Sequence, residues 1–130
     1  MTTDTGKLFS TVPKEDYLGL FEGDEPRYKE VQEFLGFKTK DVAEAAGVPA
    51  TSVRFDAKMP AELTERVREW VVLINLVAGF FEGDRDKTYL WFTVPNPLLG
   101  GIPPRQMIRL GRFNKLFRLV HQALAENRKP

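Results

Sequence analysis

The chain has 130 residues, enough for one domain or one domain with an extra element, and its 42% hydrophobic and 28% charged residues exclude wholesale disorder, collagen and a small disulfide scaffold. It holds no cysteine and one histidine, His121, so thiol chemistry, thiolate zinc, iron–sulfur clusters and His-rich metal sites fall away, and a reducing, cytoplasmic compartment fits. The net charge of +1 is unevenly spread: residues 1–35 carry 4 Lys/Arg against 8 Asp/Glu, whereas residues 105–130 carry 7 against 1.

The first residues have no basic or apolar region and do not read as a signal peptide. Residues 1–25 read as an acidic arm, with Tyr17, Leu18, Leu20 and Phe21 as a docking patch. A first helix is expected after Asp24, with Pro26 in its first turn, Tyr28, Val31 and Leu35 on one face, and Gly36 as its stop. A second runs from Thr39, read as its N-cap, to Ala46, and Gly47 ends it. Pro49 opens a third of about two turns.

The longest helix starts at Pro60, with Leu63, Val67, Trp70, Ile74, Val77 and Phe81 in one stripe. Its apolar stretch from Trp70 to Phe81 is shorter than the ~20 residues a membrane span needs, so no membrane partner is expected. A short helix at 86–94 carries Tyr89, Leu90 and Trp91 and breaks at Pro95-Asn96-Pro97, where Asn96 suits a local cap. Pro103-Pro104 opens another, with Met107, Ile108 and Leu110. The last, from about Arg112, aligns Phe113, Leu116, Phe117, Val120 and Leu124. No segment alternates at period two, so the expected fold is all-α, a bundle of short helices around 60–81.

Two segments point to function. In 39–57, Ala43 is the small residue where two helices cross, Gly47 suits the turn, and Val53 would face back from the second helix, as a helix-turn-helix requires. Asp56 departs from that pattern, though Phe55 beside it could substitute. On this reading Thr51, Ser52, Arg54 and Lys58 would reach bases or phosphates of an operator. The second segment runs from Tyr89 to Arg112, where an aromatic run and paired prolines make a rigid corner.

Here the sequence resembles the Xre/MbcA/ParS-type antitoxins, whose C-terminal domain carries a W-[FL]-x-x-P-N-x-x-L-x-x-x-x-P-x-x-[LM]-[IV] pattern. Trp91, Phe92, Pro95, Asn96, Leu99, Pro104, Met107 and Ile108 match it, and Gly111 with the terminal helix follows as in that family. The resemblance covers roughly residues 36–125 and implies an Xre-like helix-turn-helix at 39–57; the expected division is an N-terminal arm at 1–25, a helix-turn-helix region at 26–59 and a toxin-binding domain at 60–130. It implies a type II antitoxin that covers the active site of a RES-domain, NAD-consuming toxin, represses its own operon, and assembles as a homodimer or toxin–antitoxin hetero-oligomer. Trp91 and Asn96, together with Arg105, Arg109, Arg112, Lys115 and Arg118 chosen for their charge, are the expected toxin contacts. A stand-alone helix-turn-helix regulator with a C-terminal dimerisation domain is the alternative, and a partner-binding module without DNA binding is a third.

No nucleophile–base or phosphate-loop spacing suggests an enzyme, and no cofactor is expected. Glu82-Gly83-Asp84 with Asp86 lacks the spacing of a calcium loop.

Overall fold

The computed structural model describes residues 15–56 and 58–130. Its regular structure among the described residues is helical apart from one two-stranded hairpin and an isolated bridge between Asn96 and Ile102. The elements run β1 (Phe21–Glu22), β2 (Glu25–Pro26), α1 (Tyr28–Leu35), α2 (Thr39–Ala46), a 3-10 turn (Ala50–Ser52), α3 (Ala61–Phe80), α4 (Arg85–Thr93), a second 3-10 turn (Pro97–Leu99), α5 (Pro104–Arg109) and α6 (Phe113–Ala125).

α3 is the axis. It buries Leu63, Val67, Trp70, Val71, Leu73, Ile74, Val77 and Ala78, and α1, α2, α4, α6 and β2 all pack on it. Each such side chain contributes about 1.5–3 kcal/mol when taken from water. Trp70 meets the Phe37 ring edge-on at 5.9 Å. Core residues from Leu20 through Val120 form one hydrophobic cluster, so both sides of the expected boundary at residue 59 share it.

Most helix ends fall where the sequence places them. Gly36 and Gly47 close α1 and α2 in the left-handed conformation, with φ of 69° and 72°. Thr39 is the first helical residue rather than the cap; the Lys38 backbone N–H is held by Asp41 Oδ2 at 2.8 Å. Asp84 caps α4 by accepting from the Lys87 N–H at 3.0 Å, and the fully buried Thr88 hydroxyl donates to the Asp84 carbonyl at 2.7 Å.

The hairpin is a correction. Asp24 and Pro26 do not start a helix: Phe21 pairs with Pro26 and Glu22 with Glu25 across a turn at Gly23, whose φ is 64°. The described part of the arm is docked. Leu20 is buried, the Tyr17 N–H donates to Asn75 Oδ1 at 2.9 Å in the middle of α3, and Asp16 accepts from the Leu20 and Phe21 N–H groups. The rest of the expected arm, residues 1–14, lies outside the described residues.

Candidate functional site

The expected recognition helix is not formed. After Gly47, residues 48–60 contain one 3-10 turn, Ala50–Ser52, and no α-helix among the described residues. The reason is local. Val53 is extended, with ψ of 102°, and the Asp56 carboxylate then gathers its own neighbours. It accepts from Arg54 Nε and Nη2, the latter at 2.7 Å, and from the Lys58 N–H at 2.9 Å. Side-chain turns of this kind compete with the helix for backbone donors. The Arg54 guanidinium thereby holds the Asp56 carboxyl below its ordinary range. Thr51 and Lys58 are exposed and Ser52 half-buried, but no helix presents them together. Phe55 stacks on Tyr28 at 5.3 Å, and with Phe37 and Val53 it lines a shallow cleft of 460 Å³ rimmed by Lys29, Gln32 and Glu33.

The second segment folds as a corner, and most of its motif residues point inward. Trp91 is buried, packs edge-on against Phe92 at 4.9 Å, and donates its indole N–H to the Pro130 carbonyl at 3.2 Å. Asn96 is buried too. Its Oδ1 accepts from the Leu98 N–H at 2.9 Å, its own N–H donates to the Ile102 carbonyl, and its carbonyl accepts from Leu99 and Gly101. Phe92, Pro104, Met107 and Ile108 complete the interior of the corner.

Two of the expected toxin-binding cations are also used internally. Arg105 Nη1 donates to the Leu35 carbonyl at 3.2 Å, packed against the bare Cα of Gly36, so α5 is bolted to the end of α1. Arg109 Nη1 pairs with Glu44 on α2 at 2.8 Å and its Nε with Gln106 at 3.0 Å. Arg112, Lys115 and Arg118 remain exposed along α6. The structure thus divides the seven residues into four that build the corner and three that are exposed at α6.

What the corner displays is apolar. Residues 88–104 contain no charged side chain over seventeen positions. Leu90 is 55% exposed, Val94 49% and Leu98 54%, with Pro95 and Pro97 exposed between them. Thr88, Trp91 and Phe92 take the inner side of α4, so Leu90 and Val94, four apart, share the outer side. Tyr89 meets Phe34 edge-on at 5.8 Å, and Arg85 lies 5.4 Å over the Phe34 ring, fixing α4 against α1. Exposed leucines singly need no explanation, but here they stand together on one rigid corner. Sequence reasoning missed these residues. The signal was available in the uncharged run and in the i, i+4 spacing of Leu90 and Val94 away from the Trp91–Phe92 side.

Among the described residues no group of three or more His, Cys, Asp or Glu could hold a metal ion, and no helix is long and apolar enough to cross a membrane. Glu69, on α3, is the one carboxylate raised by burial toward neutrality among the described residues with shifted values; Arg66, 3.1 Å away, opposes that shift.

A chain of the M. tuberculosis MbcT-MbcA toxin-antitoxin complex is similar in structure, at 22% sequence identity and a TM-score of 0.49, over 76% of this chain and 90% of that one. No protein-family model matches the chain. No curated protein matches it.

Proposed function

We propose that this protein is an antitoxin, a non-catalytic and cofactor-free inhibitor that binds a partner toxin through the apolar outer side of α4 and the turn after it. The observation that carries the reading is the ledge of Leu90, Val94 and Leu98, held rigid by the buried residues of the motif that resembles the antitoxin family. Exposed aliphatic side chains on a preorganised support are what a protein interface uses as anchors, because little ordering entropy is lost on binding. The partner this resemblance implies is a RES-domain toxin that consumes NAD, and inhibition would come from covering its active-site entrance in a cytoplasmic toxin–antitoxin hetero-oligomer. The motif residues Trp91 and Asn96 act as supports of that surface rather than as contacts. On this reading toxin binding stays within 60–130, the part of the chain that holds the ledge.

The alternative, a stand-alone helix-turn-helix regulator, needs a recognition helix where Ala50–Ser52 make a single turn. No observation favours it over the partner-binding reading.

The test is co-expression with the product of the neighbouring gene, assayed as the toxin. Wild-type protein should rescue growth and co-purify with the toxin. Leu90→Asp combined with Val94→Asp should abolish both while leaving the helical circular dichroism unchanged. Full rescue by that double variant would refute the ledge.

A further inference from the structure

We infer that the ledge carries a charged rim of two signs, cationic on one flank through Lys87 and Lys129 and anionic on the other through Asp86, and that this rim selects a protein partner whose matching groove is edged by carboxylates on the Lys87 flank. The rim builds on the toxin-binding role of the ledge and adds what decides between partners. Thr88 and Phe92 take the inner side of α4, so the outward side runs from the first turn through Leu90 to Val94. A helix turns about 100° per residue, which sets Asp86 about 40° to one side of Leu90 and Lys87 about 60° to the other, each about one turn before it. Both are exposed, and among the described residues neither side chain enters a hydrogen bond or ion pair. Their neighbours are committed: the Asp84 carboxylate accepts from the Lys87 backbone N–H, and Arg85 lies over the Phe34 ring.

Lys129 reaches the same flank from beyond α6. There the left-handed Asn127, with φ of 56°, turns the backbone, and the Arg128 N–H donates to the Ala123 carbonyl at 2.9 Å. The Pro130 carbonyl is then held by the indole N–H of Trp91 at 3.2 Å. Trp91 lies about 100° round from Leu90 on the Lys87 side, so Lys129, exposed and next to Pro130, borders the flank that holds Lys87. Arg128 adds nothing there, because Glu126 pairs with it at 2.6 Å. At the far end of the uncharged run, Arg105 and Arg109 are turned to Leu35 and Glu44. Burial of Leu90, Val94 and Leu98 is non-directional and accepts any apolar groove. Unpaired charges beside such a patch contribute little affinity, but they set encounter rates and reject partners of like charge at that edge.

The experiment is stopped-flow association of the full chain with the purified product of the neighbouring gene, between about 50 and 500 mM salt. Wild type should associate fastest at low salt and slow by about tenfold across that range. Lys87→Glu with Lys129→Glu should cut the low-salt association rate at least about tenfold and change dissociation less than about threefold, with circular dichroism checking the fold. The milder Lys87→Met with Lys129→Met should slow association less and flatten its salt dependence. Lys29→Glu with Lys40→Glu alters net charge equally, away from the ledge, and should change the rate less than about twofold. Lysine variants at 87 and 129 that associate as wild type, in a complex that Leu90→Asp with Val94→Asp abolishes, would overturn the rim and leave the ledge standing. A complex that survives the ledge variant, or no complex with wild type at any salt, would remove the toxin-binding role and the rim with it. Equal slowing by the remote pair would reduce the effect to net charge and overturn the inference. So would self-association of the chain lost in the ledge variant, which would make the occupant a second copy.

Discussion

Two segments of this chain carry motif-like sequence, 39–58 and 88–111, and folding treats them in opposite ways. In the first, the motif positions that should create a second helix lose to a local turn closed by Asp56. In the second, the turn after α4 is closed by Asn96, a residue the motif itself supplies, and the interior is packed from Phe92 to Ile108. The difference lies in where the determinants sit. Asp56, Arg54 and Lys58 are on the surface and answer to each other. Trp91, Phe92, Asn96, Met107 and Ile108 are buried and answer to the whole core. A spacing pattern whose key positions are interior survives as structure, whereas one completed by exposed polar residues can be overridden locally.

The sharpest break of this comparison would come from core deletion. Phe92→Ala, at a fully buried site, should cost about 3–5 kcal/mol in urea denaturation, while Phe55→Ala, half-buried, should cost about 1–2 kcal/mol. Equal losses would mean that the 39–58 segment is as integral as the corner. Next come the two left-handed glycines. Gly36→Ala and Gly47→Ala share a backbone penalty of about 1–2 kcal/mol. Only at Gly36 would the new methyl displace Arg105, so this variant should lose about 1 kcal/mol more. That excess should vanish in an Arg105→Ala background, and its persistence would remove the proposed bolt between α5 and α1.

Smaller still is the cap. Asn96→Ala should lower stability by about 1 kcal/mol, whereas Thr51→Ala, exposed on the other segment's turn, should stay within about 0.5 kcal/mol of wild type. The smallest effects are ionic and of opposite sign. Asp56 has a lowered carboxyl pKa when folded, so its contribution is present above the unfolded value and fades as pH falls through the folded one. Glu69 is raised by burial, so its folded form holds a proton longer than the unfolded form, and stability falls as pH rises from about its ordinary 4.5. Stability curves against pH should therefore lose an acid-side decline in Asp56→Asn and lose a rise toward acid in Glu69→Gln. Matching curves for the two variants would contradict the assignment.

The long helix was legible because its apolar stripe repeats over five turns, the end of α4 and the start of α5 followed from the prolines around Asn96 and at 103–104, and α6 followed from its own apolar period. The β1–β2 hairpin was not, since strands of two residues are too short for any period to appear. The fate of Arg105 and Arg109 was equally hidden. A charged residue reads as surface from sequence, yet these two sit four apart on a short helix that faces the Leu35 carbonyl and Glu44, partners 70 and 65 residues away. Such long-range pairings leave no local trace. The ledge was half legible: the uncharged run could be seen, but that Leu90, Val94 and Leu98 stand outside the core depends on Trp91 and Phe92 taking the inside.

The most direct measurement is hydrogen–deuterium exchange of the protein alone and in complex with its co-expressed toxin. New protection should appear at residues 88–99, strongest around Leu90, Val94 and Leu98, with 48–58 unchanged. Protection confined to 48–58 or to the hairpin at 21–26, with 88–99 exchanging as in the free protein, would contradict the central claim that the corner is the toxin-binding surface.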